Sequence, residues 1–447
     1  MDIPKVVGIV VERDFGVFVE LVASELVSSG GCTERELVKR LEEKDGGGQV
    51  QRALMTLARN GLVHKDDGGK FRADVSTINL RWRFPYFSVM VAEEFGEEAQ
   101  LVVELLLVHG KVTSKQLFTD ERVGSGRISA LETLISNRVL EPEKLAAFET
   151  SEHPPAKRMR SSTEVPKTLS IKINSREEAL IPIPDKTDSD TTWKLRLSQF
   201  HLMACNKICT DLVRQTIDVQ AGAVVEAVLK KTLLKEESIS SSSFQSVSEA
   251  TIVQDLKDSG TSVDRSALDG KIELMCRPDI GYLRRFGDQL HAEVTTMLNI
   301  VRRKTAEEII LKRFGPEARR MFSLLMHKKK LEAKHAAELS MLNQRKAREM
   351  LFKLHDAGYA TVQEVPRTSD FKQSKCIYIW SVNLPEAYKR IAQHIDRSCL
   401  NLYRRLKTME EEPREKQDAD FRRKQKEFIE VSILRLQINL MLFRDLK

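Results

Sequence analysis

The feature that most constrains this chain is an internal repeat, because a recurring unit fixes architecture more firmly than local propensity does. Three segments align: ERDFGVFVELVASELVSSGGCTERELVKRL from Glu12, AEEFGEEAQLVVELLLVHGKVTSKQLF from Ala92, and LKRFGPEARRMFSLLMHKKKLEAKHAAEL from Leu311. Each carries a Phe-Gly pair (Phe15, Phe95, Phe314), then an amphipathic helix pattern, a short polar turn and a second helix pattern. Downstream, AL-x-x-L-x-x-x-GLV at Ala53–Val63 matches AL-x-x-L-x-x-x-RVL at Ala130–Leu140 and ML-x-x-L-x-x-x-GYA at Met350–Ala360, so a third helix closes each repeat. Gly61 and Gly358 stand where a helix ends in a left-handed cap, and Asp67-Gly68 between two extended runs is a hairpin turn. Three helices and a hairpin make a winged helix. The predicted fold class is mainly α with small β wings: tandem winged-helix domains followed by a C-terminal coiled-coil helical hairpin.

At 447 residues the chain exceeds one ordinary core, and roughly 100–150 residues per domain predicts several small modules. The expected boundaries are 1–75 and 76–149 for two winged helices, 150–190 for a linker, 191–304 for a degenerate third winged helix, 305–384 for a fourth, and 385–447 for the hairpin. The linker holds PPAKRMRSS, IPIP and DKTDSD with little periodicity. The third module lacks the Phe-Gly mark; the serine run Ser238–Ser243 precedes a weak SVSEATIVQDL helix, and KIELMCR reads as extended. From Tyr388 apolar residues recur at Ile391, Ile395, Leu402, Leu406 and Met409. After EEEPREKQD they recur at Ile429, Ile433, Leu436, Leu440 and Phe443, spaced as a heptad seam.

Composition narrows the function classes. Hydrophobic residues at 41% and charged residues at 31% suit a soluble helical protein, and aromatics at 6% argue against a large sandwich or membrane barrel. The most apolar stretch, Leu101–Val108, is interrupted by Glu104 and falls far short of the ~20 residues of a membrane span. The opening MDIPKVVGIVVERD does not read as a secretion signal, so cytosol or nucleus is expected. The six cysteines contain no C-x-x-C pair, which supports neither a disulfide framework nor a zinc ribbon. His201, Cys205 and Cys209 share one helical stripe that reads as a packed face without a fourth ligand. Asp45-Gly-Gly-Gly lacks the Gly-Lys-Ser/Thr of a phosphate cradle, and Asp188 and Asp190 lie in the linker without a rigid scaffold. No enzyme, cofactor or metal is expected.

Nucleic acid is the remaining chemistry that winged helices offer. On the third helix of the first module, Val50, Leu54 and Leu57 point to the core while Arg52, Thr56 and Arg59 point out. The matching outward face of the second module shows Ser129, Glu132, Thr133 and Ser136, and that of the last shows Lys346, Glu349 and Lys353. None presents the Arg plus Asn/Gln cluster that reads base edges, so contact with phosphates without sequence preference is expected. The candidates are Arg52, Arg59, Lys65, Lys70, Lys328, Lys329, Lys330, Arg345, Lys346 and Lys353. The segment 302–334 sets eleven cations against four carboxylates, a surplus of +7 that equals that of the entire chain. PPAKRMR from Pro154 is a candidate nuclear import signal. The apolar seam Ile429, Ile433, Leu436, Leu440 and Phe443 is the candidate partner interface.

FGEEAQLVVELLLVHGKVT, RWRFPYF at Arg81, WKLRLSQFH at Trp193, and above all the run from Leu311 through Phe371 resemble the third-largest subunit of eukaryotic RNA polymerase III. The resemblance spans nearly the whole chain. It implies four winged helices and a coiled coil, kinship with the large subunit of general factor IIE, and a place on the polymerase clamp in a peripheral trimer. It also implies partners: other polymerase III subunits, transcription factor IIIB, and DNA, double- or single-stranded. The implied role is in nuclear initiation on small non-coding RNA genes, with the active site on other subunits. Two other readings compete. A free-standing winged-helix regulator would need base-reading faces, and a proteasome-lid type scaffold would begin with a helical-repeat array.

Overall fold

The computed structural model describes residues 3–41, 48–66, 68–119, 127–143, 191–233, 246–258, 265–366, 376–411 and 419–446. The chain divides into two compact units, Met1–Phe200 and His201–Lys447, mainly helical with small antiparallel sheets.

The Phe-Gly pairs are helix-to-helix corners. Ile3–Phe15 meets Val17–Ser29 at Gly16, Phe84–Phe95 meets Glu97–His109 at Gly96, and Val294–Phe314 meets Pro316–Lys328 at Gly315. The three glycines share one conformation, with φ/ψ of 90°/170°, 90°/171° and 91°/176°. That region is closed to residues with a Cβ. Each glycine N–H still bonds the carbonyl four residues back, so the first helix is completed before the chain turns.

In the first module the helices Val17–Ser29, Glu34–Arg40 and Gly48–Arg59 lead to a hairpin of Val63–Lys65 and Phe71–Ala73. Thr33 and Glu36 form a capping box that starts the middle helix. Gly61 has φ 68° and Gly358 φ 75°, the left-handed caps expected of both; at the matching place in the second module Arg138 takes φ 57°. Asp74 then caps Val75–Leu80, accepting from the backbone N–H groups of Ser76 and Thr77 and from both hydroxyls. Burial pushes the Asp74 carboxyl up, but these hydrogen bonds outweigh it and the net shift is downward. A depressed folded-state pKa contributes stability above the unfolded value that is lost as pH falls through the folded one. Asp74→Ala should therefore cost about 1 kcal/mol at neutral pH. Denaturant titrations of both proteins should converge in acid below the native Asp74 pKa.

The second module corrects two expected boundaries. Its sheet has the order Val112–Thr113, Thr192–Leu195, Leu140–Glu143, all antiparallel. Residues 191–195 are therefore the last strand of this module and not the start of the third, and residues 150–190 lie between two paired strands of one wing. Trp193 is fully buried and its Nε1 donates to Ser114 Oγ at 3.1 Å; Phe200 stacks on Phe87 at 4.8 Å. The segment 144–190, with PPAKRMR, Asp188 and Asp190, lies outside the described residues, as do Asp45 and the serine run.

The third module, expected to be degenerate, shows among its described residues the helices and wing strands of a winged helix. Leu197–Thr216 leads to Val219–Leu233, then Val247–Ser248, Glu249–Asp258, Arg265–Cys276 and a wing of Leu283–Phe286 with Gln289–Ala292. KIELMCR, read as extended, is helical through Cys276, because Leu268, Ile272 and Met275 bury one helical stripe. Ile217-Asp218 replaces Phe-Gly at the corner: the Asp218 carboxylate accepts from Ala221 N–H and pairs with Lys271 at 2.6 Å. Lys271 and the Ala221 amide hold that carboxyl below its ordinary range, although burial opposes them.

The fourth module comprises Pro316–Lys328, Lys330–Glu332, Ala333–Ser340, Gln344–Asp356, Thr361–Pro366 and Cys376–Ser381, the last strand lying between the other two. The expected break at 304/305 falls inside the continuous helix Val294–Phe314. Leu384–Glu411 and Ala419–Arg444 then pack antiparallel: Tyr388 meets Phe443 at 5.4 Å, and Arg444 pairs with Asp396 at 2.5 Å.

Candidate functional site

The third helices bury the expected apolar stripes, while Thr56, Glu132 and Thr133, expected to point out, are half-buried. Val50, Leu54 and Leu57 are buried, as are Leu131, Leu134 and Ile135, while Arg52, Arg59, Lys346, Glu349 and Lys353 are exposed. Exposure alone does not make a contact residue, and the candidates separate by what they already bind. Among the described residues Arg52 Nε donates within its own helix, to Gly48 O at 3.2 Å. Lys65 lies over the Phe71 ring at 5.6 Å, and Lys70 is exposed on the wing. Arg59, by contrast, donates to the Lys111 carbonyl at 3.2 Å and to Gln116 Oε1 at 3.4 Å, which ties the first module to the second.

In the fourth module Lys346 pairs with Glu317, and Lys353 with Glu349 at 2.7 Å. The hydrogen bond from Lys353 holds the Glu349 carboxyl below its ordinary value. Lys328, Lys329 and Lys330 remain exposed where Pro316–Lys328 ends, and Arg345 is exposed on the first turn of Gln344–Asp356.

The cationic run 302–334 is not one surface. Arg302 donates to the Leu442 and Leu446 carbonyls, closing the last helix onto Val294–Phe314. Arg313 donates to Tyr359 Oη at 2.9 Å and covers Phe314 at 4.8 Å, while burial keeps the Tyr359 phenol's pKa above its ordinary value. Arg319 pairs with Glu308 at 3.2 Å, and Arg320 donates to Ser340 O at 3.0 Å. A count of charges along the sequence does not reveal which of them carry the fold.

The apolar seam is also corrected. Ile429, Ile433, Leu440 and Phe443 are buried and Leu436 half-buried, all within the chain's own packing. Ile429, Ile433, Leu440 and Phe443 are thereby committed to the chain's own packing, and Leu436 keeps part of its surface open. The outer face of Ala419–Arg444 instead displays Phe421, 62% exposed, Phe428, 72% exposed, and Val431, 47% exposed, on one stripe with Lys424 between the two phenylalanines and Arg435 one turn past Val431. The heptad reading hid this face because Phe421 and Phe428 fall outside the seam's register.

His201, Cys205 and Cys209 form a packed stripe: both cysteines are fully buried, and the hydrogen bond between them, with burial, raises the Cys209 thiol well above its ordinary value. Among the described residues no three His, Cys, Asp or Glu side chains converge on a metal position. No helix among them is long and apolar enough to cross a membrane.

Comparison with known proteins fits this modular geometry. Residues 306–382 match the family described as "POLR3C, C-terminal winged-helix domain". The match covers the fourth module from within Val294–Phe314 to the end of its last strand. The chain is 23% identical over 456 residues to DNA-directed RNA polymerase III subunit RPC3 of Rattus norvegicus, spanning 90% of this chain and 83% of that protein. It is 22% identical over 458 residues to the Homo sapiens RPC3, with the same coverage. The chain is thus similar to RPC3 proteins along most of its length. An RPC3 relative from Dictyostelium discoideum is 26% identical over 235 residues, about half of this chain.

Proposed function

We propose that this chain is a non-catalytic subunit of nuclear RNA polymerase III that acts by position: it bridges the polymerase clamp, transcription factor IIIB and promoter DNA while the promoter is opened. The observation that carries the reading is similarity to RPC3 proteins along 90% of the chain, in a molecule built of successive winged-helix modules. DNA is met through Arg52, Lys65, Lys70, Lys328, Lys329, Lys330 and Arg345, whose chemistry suits phosphate oxygens and carries no base code. Several weak contacts held in one geometry gain from one another through effective concentration.

Assembly with the other subunits uses the outer stripe of the last helix. Two exposed phenylalanines flanked by cations fit an apolar groove with an acidic rim, and aromatic anchors dominate such interfaces. Affinity purification of the tagged chain from cells, followed by mass spectrometry, should recover polymerase III subunits. Phe421→Ser with Phe428→Ser should reduce that recovery at least about 10-fold while leaving the melting transition in place. Absence of polymerase subunits from the wild-type preparation would reject the function. Undiminished recovery with the double variant would move the assembly surface elsewhere.

A further inference from the structure

Fifteen residues past Phe15 and Phe95 the chain has Gly30 and Gly110, which end the second helix of each corner. Fifteen past Phe314 it has Lys329, which ends Pro316–Lys328 in the same place. All three take positive φ: 70° with ψ 10° at Gly30, 76° with ψ −86° at Gly110, and 65° with ψ −56° at Lys329. At Gly110 space also excludes a side chain, since a Cβ would strike the Arg59 carbonyl. At Gly30 a Cβ would meet nothing within 4 Å, so conformation alone selects glycine there.

Lys329 therefore stands in a glycine's place. Its angles fall in the region of the rare γ-turn, which an L side chain enters only under strain. The fold returns nothing for this strain. Lys329 is exposed, as are Lys328, Lys330 and Lys334, and among the described residues none of the four pairs with a carboxylate. The negative end of a helix dipole favours a cation, but His327 and Lys328 already stand in the last turn of Pro316–Lys328, and neither takes positive φ.

We infer that Lys329 holds this position because its ammonium binds phosphate oxygens of duplex DNA, at the cost of stability in the fourth module. The inference rests on the DNA contact proposed above and names the residue of the Lys328–Lys330 turn on which binding and folding conflict. The ligand class follows from the rest of the turn. Residues 327–335 hold one carboxylate, Glu332, and expose no large apolar side chain. A protein partner needs an apolar or aromatic anchor, which this turn lacks. A single strand needs a face on which its bases stack, and the segment has no Phe, Tyr or Trp. Point charges on an exposed turn suit the regular phosphates of a duplex.

The test uses the full chain and a fluorescein-labelled 20-base-pair duplex, with binding followed by anisotropy over a salt series. Lys329→Gly should weaken binding about fivefold at physiological salt and reduce the slope of log affinity against log salt by about 0.9, the signature of one lost phosphate contact. The same substitution should raise the melting midpoint of the C-terminal unit by about 2–4 °C, since it relieves the strain. Lys329→Arg should keep both the affinity and the lower midpoint. Lys257→Ala, an equal charge change at an exposed residue of the third module, should alter binding less than about 1.5-fold. An unmoved midpoint with Lys329→Gly would show that the conformation costs nothing and overturn the inference. An unmoved slope, with the wild-type chain bound normally, would overturn it too but leave the wider DNA reading standing. A wild-type chain that binds no duplex would end both. A greater loss on a single strand, or an equal loss on a poly-glutamate peptide, would assign the turn to another ligand and overturn the duplex assignment.

Discussion

Replacing Arg81 by Ala is expected to destabilise the N-terminal unit by about 3–4 kcal/mol, the range for breaking a buried ion pair by removing one partner. Arg81 is 6% exposed, and its Nε lies 2.5 Å from Asp14, which is itself largely buried. The guanidinium covers the Phe15 ring at 4.6 Å and the Phe84 ring at 4.9 Å, and donates to Asn60 Oδ1 at 3.3 Å. One side chain thus joins the corner of the first module, the end of its third helix and the first long helix of the second. Truncation strands the Asp14 carboxylate with only Arg13, at 2.7 Å, and leaves a void between two aromatic rings. Arg13 keeps the loss below that of a fully orphaned charge. Denaturant unfolding measures it, and limited proteolysis should cut first between residues 60 and 84. A loss below about 1 kcal/mol would mean that the Asp14 pair is solvated and that the two modules are joined by other contacts. Arg81→Lys should recover little, because an ammonium cannot face two rings and a carboxylate at once.

What the sequence made legible follows from backbone geometry. Phe-Gly at 15, 95 and 314 announces a corner because only glycine adopts φ near +90° with ψ near 170°, so the residue type and the conformation are nearly synonymous. The caps at Gly61 and Gly358 are legible for the same reason, and the apolar stripes of the third helices follow from their period. The third module escaped because Ile217-Asp218 makes the same corner through a side-chain cap and leaves no glycine to find. The second wing escaped because residues 144–190 have a linker's composition whether they join two domains or two strands, and only the pairing of Leu140 with Leu195 distinguishes these. Charges are the least legible. Arg59, Arg302, Arg313 and Arg320 look like exposed cations in a string of letters, yet each one donates to a backbone carbonyl or a phenol. Arg59 and Lys111, nearly a whole module apart in sequence, line one cleft only because Gly110 admits the approach.

The C-terminal seam gives the other large effect. Ile433→Asp with Leu440→Asp should abolish the closed hairpin, at a cost above about 5 kcal/mol, since both side chains are almost fully buried among apolar neighbours. The damage should spread inward. The Leu442 carbonyl in the last helix and the Leu446 carbonyl just after it accept from Arg302 of Val294–Phe314, so release of this end leaves that half-buried guanidinium with Asn299 Oδ1 at 3.0 Å as its remaining acceptor among the described residues. Burial already lowers the Arg302 pKa, which marks the guanidinium as costly to leave unpaired. Hydrogen exchange should therefore show protection lost across Leu384–Glu411 and Ala419–Arg444 and reduced in Val294–Phe314, while the helices of the first module stay protected. This outcome separates the two faces of one helix. Asp in the seam removes partner recovery by unfolding the hairpin, whereas Ser at Phe421 and Phe428 removes it from a folded one. Retained protection across the hairpin with Asp at both positions would mean that the seam opens to solvent without loss of structure, and the buried stripe would then be available to a partner after all.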